Sequence, residues 1–270
     1  MAGYVCTIAG GKGGVGKTTT ALNVAAVLEA AGYDTVVVDA DLGMANLGQM
    51  LGIDHDSSIH EILAGQATVD DALTETRGDV TVIPGEQTLE AFADADPANL
   101  REVITALREA YDAVLVDTGA GLSHETMVPL GLADGILLVT TPDDVAVSDT
   151  AKTADLADRV DGRVLGGLVC RVTGETDVAA ITAAFDFPTL GVVPVDHDAT
   201  GSEPLVLHAP DSPAAEAYEL LGSTLADVFF EGADPAAGDL VFEASWFEDE
   251  TDEEDDEEDD DSGGRFGLFG

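Results

Sequence analysis

The string Gly10-Gly11-Lys12-Gly13-Gly14-Val15-Gly16-Lys17-Thr18-Thr19 stands between an apolar run, Tyr4–Ala9, and a stretch with helical apolar spacing, Thr18–Ala31. No other feature constrains the fold as tightly. A strand that passes through a glycine-rich turn into a helix aims the helix N-terminus, with its unpaired N–H groups, at whatever occupies the turn. The spacing Gly11-x4-Gly16-Lys17-Thr18 is that of the Walker A phosphate loop, whose glycines let backbone N–H groups close on phosphate oxygens. In that reading Lys17 reaches the β and γ phosphates and the Thr18 hydroxyl ligates Mg²⁺. The charge agrees: of three lysines in a chain of formal net charge -44, two fall in this loop.

Apolar runs recur along the chain at Thr35–Val38, Val80–Ile83, Ala113–Val116, Gly135–Val139, Leu165–Val169 and Leu190–Val193. Several are apolar throughout rather than alternating, as strands covered on both faces require. Helical spacing fills the intervals at Pro97–Ala110, Asp144–Arg159 and Asp177–Phe185, and Pro213–Leu225 follows with proline near its first turn. This alternation predicts an α/β fold: a doubly wound, mostly parallel sheet flanked by helices. The expected division is one domain over residues 1–232 and an acidic, largely disordered tail over 233–270, entered through Ala233-Asp234-Pro235-Ala236-Ala237-Gly238. Within the tail, Leu240, Val241, Ala244 and Phe247 share helical spacing beside Trp246, so this segment is a candidate to dock on a partner or back on its own domain.

Residues 248–261 carry 13 of the 54 acids, which leaves 41 against 10 bases in the rest of the chain. Such an excess repels itself in dilute buffer and is screened at molar salt, where the Debye length is about 3 Å. The composition therefore points to a high-salt cytoplasm of the haloarchaeal type. An acidic nucleic-acid mimic is the other reading. A broad basic patch for DNA is disfavoured by the few basic residues. Residues 1–9 lack a basic leader and no apolar run approaches the ~20 residues of a membrane span, so the expectation is a cytoplasmic protein, at most peripheral to the membrane. Cys6 and Cys170 lie in strand-like runs and read as buried thiols.

The second loop lysine narrows the class. Lys12-Gly13-Gly14-Val15-Gly16-Lys17-Thr18-Thr19 resembles the deviant Walker A of the MinD/ParA ATPase family, P-loop NTPases of the SIMIBI class. The resemblance implies ATP and Mg²⁺ as ligands, an ATP-sandwich homodimer, and a Lys12 that reaches phosphates on the partner subunit; a solvated loop lysine is the plainer alternative. It implies a nucleotide site built from Gly11, Lys12, Gly13, Gly14, Val15, Gly16, Lys17, Thr18 and Thr19. Asp39-Ala40-Asp41-Leu42-Gly43-Met44-Ala45-Asn46-Leu47 looks like the family's switch I. By resemblance Asp41 orients the attacking water and Asp39 supports the Mg²⁺ shell, although an aspartate after a strand is also a common turn residue or helix cap. Val114-Leu115-Val116-Asp117 has the Walker B arrangement, with Asp117 on Mg²⁺ through water. Gly119–Gly121 would be switch II, and Gly119 stands where the family commonly has proline, which should loosen the loop.

Thr140-Thr141-Pro142-Asp143, Ser202-Glu203-Pro204-Leu205 and Ser212-Pro213 extend the resemblance to about residue 225. Relatives often read adenine with an asparagine before the arginine at a strand end. Here Cys170 precedes Arg171, so base contacts are expected from Arg171 and from backbone near Pro194. Three classes of function follow. The first is a MinD-like ATPase, a dimerisation switch that positions division, chemotaxis or motility machinery, with catalytic Lys12, Lys17 and Asp41 and a partner or cargo engaged through the tail. The second is a metallocluster carrier, for which the paired cysteines are missing. The third is a non-hydrolysing adaptor, against which Asp41 argues; ParA-like partitioning is the nearest neighbour of the first. The ending Arg265-Phe266-Gly267-Leu268-Phe269-Gly270 has too little charge and too many glycines for a stable interfacial helix.

Overall fold

The computed structural model describes residues 2–76, 80–121, 124–196, 203–238 and 240–247. Its strands are β1 (Tyr4–Ala9), β2 (Thr35–Ala40), β3 (Thr74–Glu75), β4 (Thr81–Ile83), β5 (Ala113–Thr118), β6 (Gly135–Thr140), β7 (Val164–Val172) and β8 (Thr189–Pro194). They form one sheet in the order β3-β4-β2-β5-β1-β6-β7-β8, parallel except where the short β3 pairs antiparallel with β4. The five longer helices are α1 (Lys17–Ala30), α2 (Leu100–Ala110), α3 (His124–Leu132), α4 (Asp144–Arg159) and α5 (Pro213–Ala226).

The apolar strands are covered on both faces, as their composition requires. In β2, Val37 turns to the layer built by Leu22 and Leu28 of α1 with Tyr218 and Leu221 of α5. Its neighbours Val36 and Val38 turn the other way, to Val103, Ile104 and Leu107 of α2 with Ile59 and Leu63. A third cluster joins Leu130 of α3, Leu156 of α4 and Leu138 of β6. Successive strand residues feeding opposite layers is the period-2 consequence of a buried pleat. Ser212 caps α5 by accepting from the Ala215 N–H at 3.2 Å, and Asp143 caps α4 by accepting from Ala146 at 3.0 Å.

The sequence places the long elements well and their ends less well. β2 and β5 run two residues further than their apolar stretches, because the parallel ladder continues through Asp39–Ala40 and Asp117–Thr118. The helical spacing at Asp177–Phe185 yields only a short helix, Val178–Thr182. Pro97–Ala110 divides into a 3₁₀ turn, Pro97–Asn99, and α2. Short helices at Leu47–Leu51 and Ile59–Leu63, and α3 with its internal Pro129, carry no periodicity long enough to read.

Of the expected tail, Leu240–Phe247 lies against the domain. Val241 donates to the Leu190 carbonyl at 3.0 Å and accepts from the Val192 N–H at 3.1 Å, which covers the free edge of β8. Trp246 is buried, and its indole N–H reaches Glu216 Oε2 at 2.8 Å. The acid run and the final Arg265–Gly270 lie outside the described residues. Among those described, no helix is long and apolar enough to cross a membrane.

Candidate functional site

β1 lies at the middle of the sheet, and the chain leaves it toward β2 on one side and later toward β6 on the other. The crevice beyond its C-terminal end is the topological switch point where such sheets bind ligands. The loop of residues 10–16 crosses this crevice and enters α1 at Gly16, whose φ of 105° lies in the left-handed region open to glycine. That conformation turns the first N–H groups of α1 into a cleft of about 540 Å³ lined by Lys17, Thr18, Asp41, Met44, Gly119 and Arg171, among others. Gly13, Gly14, Gly16 and Thr19 line it too. Gly11 and Val15 stand behind the loop: Gly11 is pressed against Asp149 of α4, and Val15 is buried in the core.

Two carboxylates lie beneath the cleft, behind the lining residues Thr18 and Asp41, and neither is itself part of that lining. Asp39 and Asp117 are register partners on β2 and β5, and both are buried. Asp39 is well supplied with donors: its Oδ2 accepts from the N–H groups of Asn46 and Leu47, each at 3.1 Å, and its Oδ1 from that of Asp41 at 3.2 Å. Asp117 is not. Its Oδ2 accepts from the Thr18 hydroxyl at 2.5 Å, while Oδ1 is buried with no partner. Burial, and then the facing Asp39, pushes the Asp117 carboxyl up; burial does the same to Asp39.

An orphaned carboxylate oxygen beside a helix-terminal hydroxyl fits a divalent cation. The cation would satisfy the oxygen and remove the cost of two close buried charges. No group of three or more His, Cys, Asp or Glu side chains converges on a metal among the described residues. Mg²⁺ takes one or two protein oxygens and fills the rest of its shell with water and phosphate. Thr18 and Asp117 are the residues placed to hold it directly or through water, with Asp39 behind them.

Asp41 stands at the rim. Its Oδ1 accepts from the Met44 N–H at 3.0 Å, and a Cβ at Gly119 would come within 2.9 Å of that same oxygen. Gly119 therefore gives the carboxylate room beside the switch II backbone, a consequence the loosened-loop expectation did not include.

Lys12 does not line the cleft. Its ammonium donates to Asp143 Oδ1 at 2.9 Å, at a half-exposed position above the N-terminus of α4. Asp143 also accepts from the Thr141 hydroxyl at 2.6 Å; that bond, then the one from Lys12, brings its carboxyl down to about 2. Arg171 is exposed at the cleft with a φ of 60°, at the register shift between Cys170 and Val172. Pro194 is buried at the end of β8 and is not in the cleft lining. Cys170 points inward, beneath the loop, where a Cβ on Gly16 would meet its Sγ at 3.3 Å; Cys6 is likewise buried and free. Asn46 (3.1 Å from the Thr18 hydroxyl) and Asp143 are site neighbours whose roles local spacing does not reveal.

The family described as AAA domain matches residues 3–163. An uncharacterized ATP-binding protein of Methanocaldococcus jannaschii is 36% identical over 83% of this chain and 88% of its own length. The septum site-determining protein MinD of Synechocystis is 27% identical over 82% of this chain and 88% of its own. Among solved structures, MinD of Pyrococcus horikoshii complexed with Mg-ADP superposes with a TM-score of 0.78 at 32% identity, covering 85% of this chain and 98% of that one.

Proposed function

The chain belongs to the MinD/ParA family of ATPases, which act with ATP and Mg²⁺, and from that premise we propose that it is a dimerisation switch that positions other cellular machinery. One observation carries the switch. Of the two loop lysines, Lys17 is buried at the cleft while Lys12 turns outward to Asp143. A lysine that faces away from its own cleft is placed to serve the cleft of a second copy. In this reading ATP draws two subunits together, Lys12 exchanges Asp143 for phosphate oxygens across the interface, and hydrolysis returns it.

The residues divide the chemistry between them. The N–H groups of residues 13–18 bind phosphate oxygens at the helix N-terminus, and Lys17 neutralises charge there. Mg²⁺, when bound, supplies further neutralisation of the phosphates. Asp41, fixed by the Met44 N–H, orients a water whose oxygen attacks the γ-phosphorus as the bond to the bridging oxygen breaks. The water's proton ends on the released phosphate. Arg171 borders the nucleotide, whereas Pro194, buried at the end of β8 and outside the cleft lining, is left without a part in base binding.

The domain is proposed to end with the segment that packs on β8, so that residues 248–270 form the partner-facing tail. Homologous MinD proteins are named for septum placement, which supports a positioning role for this chain. Its acidity favours work at molar salt and disfavours direct DNA binding. The test is sedimentation of the full chain with MgATP at molar salt. Wild type should dimerise and Lys12→Ala should bind ATP yet stay monomeric; a Lys12→Ala protein that dimerises and hydrolyses normally would sink the switch.

A further inference from the structure

The loop that follows β2 is held from two sides. Its N–H groups at Met44, Asn46 and Leu47 point to the carboxylates of Asp41 and Asp39, on the cleft side. Two of its carbonyls are held from behind by side chains distant in sequence. The Leu42 carbonyl lies 2.9 Å from His60 Nε2, and the Ala45 carbonyl accepts from Gln87 Nε2 at 2.6 Å. His60 sits in the short helix Ile59–Leu63 and is 1% exposed. Its other ring nitrogen, Nδ1, accepts from the Glu86 N–H at 3.0 Å.

These partners decide the state of the ring. A carbonyl can only accept and an amide N–H can only donate, so the imidazole is neutral with its proton on Nε2. Both nitrogens are satisfied by backbone groups of two different loops. The Leu42 carbonyl is one residue from Asp41, and Glu86 lies in the loop after β4. An apolar side chain of similar size would fill the space but orphan both backbone groups, at a cost paid by whichever loop is freer to move.

We propose that His60 is a positioning residue for hydrolysis: it ties the Leu42 carbonyl to the loop after β4 and so sets the place of Asp41 at the cleft. The inference rests on the role assigned to Asp41 above. A purely space-filling histidine would need neither nitrogen; a tether needs both, and the one facing Leu42 more, because that bond is the one touching switch I.

The full chain at molar salt, assayed for steady-state phosphate release with MgATP, separates the readings. His60→Leu should lower kcat about ten-fold, the scale of one lost orienting hydrogen bond, with KM within about two-fold because the phosphate loop is untouched. His60→Gln places its amide near the Nε2 position and should recover most of kcat. His60→Asn reaches only the Nδ1 position and should not. A His60→Leu protein with wild-type kcat, or His60→Gln no faster than His60→Asn, overturns the proposal; the second comparison stands even if the leucine variant fails to fold. Asp41→Ala distinguishes the two levels: if it is inactive while His60→Leu turns over normally, only the tether fails. If Asp41→Ala itself turns over normally, the assigned role of Asp41 fails and the tether with it.

Discussion

Replacing Gly119 with alanine should slow ATP hydrolysis without weakening nucleotide binding. β5 ends at Thr118, and the next residue is packed so closely on switch I that an added Cβ would lie 2.9 Å from Asp41 Oδ1 and 3.2 Å from its Cγ. Ordinary contact begins near 3.4 Å, so the carboxylate must retreat by about 0.5 Å. Gly119 is not among the glycines with positive φ, so the methyl group adds no backbone strain and is the only change. The retreat stretches the 3.0 Å bond from the Met44 N–H that fixes Asp41. A hydrogen bond to a charged group contributes roughly 1.5–3 kcal/mol, and losing about half of it while displacing a water-orienting group predicts a drop of about ten-fold in kcat. KM should hold, since the three atoms nearest the added Cβ all belong to Asp41 and none to the phosphate loop. The assay is phosphate release against MgATP concentration at molar salt, with nucleotide affinity measured separately by calorimetry. A Gly119→Ala enzyme whose kcat stays within about two-fold of wild type would refute the close approach of Gly119 to a working Asp41.

Other outcomes follow from the same geometry. Above the raised Asp117 pKa of about 8, where both facing carboxyls are ionised, Asp117→Asn removes one buried charge. The nucleotide-free protein should then melt about 3 °C higher, for relief of about 1 kcal/mol, with a smaller gain at neutral pH and with loss of the added stability that MgATP confers; a lower melting point at high pH without nucleotide contradicts the buried pair. Lys12→Ala breaks an exposed ion pair and should leave the melting temperature unchanged, so any large thermal shift would mean that Lys12 is structural. Trp246→Ala empties a peripheral site and frees Glu216, at about 2 kcal/mol in urea unfolding, and an unchanged midpoint would show that residues 240–247 do not dock in solution. Raising salt from dilute buffer to molar concentration should increase the unfolding temperature steadily, and a flat profile would exclude self-repulsion as the dominant electrostatic effect.

The site was unevenly legible in the sequence. The phosphate loop, β1 and α4 could be read to within a residue, because each is specified inside one short window: glycines where φ must be positive, an uninterrupted apolar run, a capping aspartate before a helical period. Asp39 and Asp117 were recognisable singly, since each ends an apolar run. Their burial side by side is a matter of register between β2 and β5. His60 and Gln87 left no signal, because a side chain that caps a distant carbonyl needs no partner nearby in the chain. The helical spacing in residues 240–247 proved to mark a docked edge strap, a bridge at Val241 followed by a 3₁₀ turn at Ala244–Phe247, rather than one continuous α-helix, since β8 had backbone groups to pair and a short isolated helix has little stability of its own.

The sequence by itself specified a glycine-rich loop between a strand and a helix at the head of a parallel sheet, and the two loop lysines pointed to the MinD/ParA ATPases, the family to which the chain belongs. Those properties are local: they depend on residue types at fixed short spacings, and backbone geometry does the rest. What Lys12 and Thr18 of the loop face was decided by tertiary structure alone. Lys12 meets Asp143 across 131 residues and Thr18 meets Asp117 across 99, because strand order sets which loops share the crevice. No local pattern encodes that order; the packing of both sheet faces selects it.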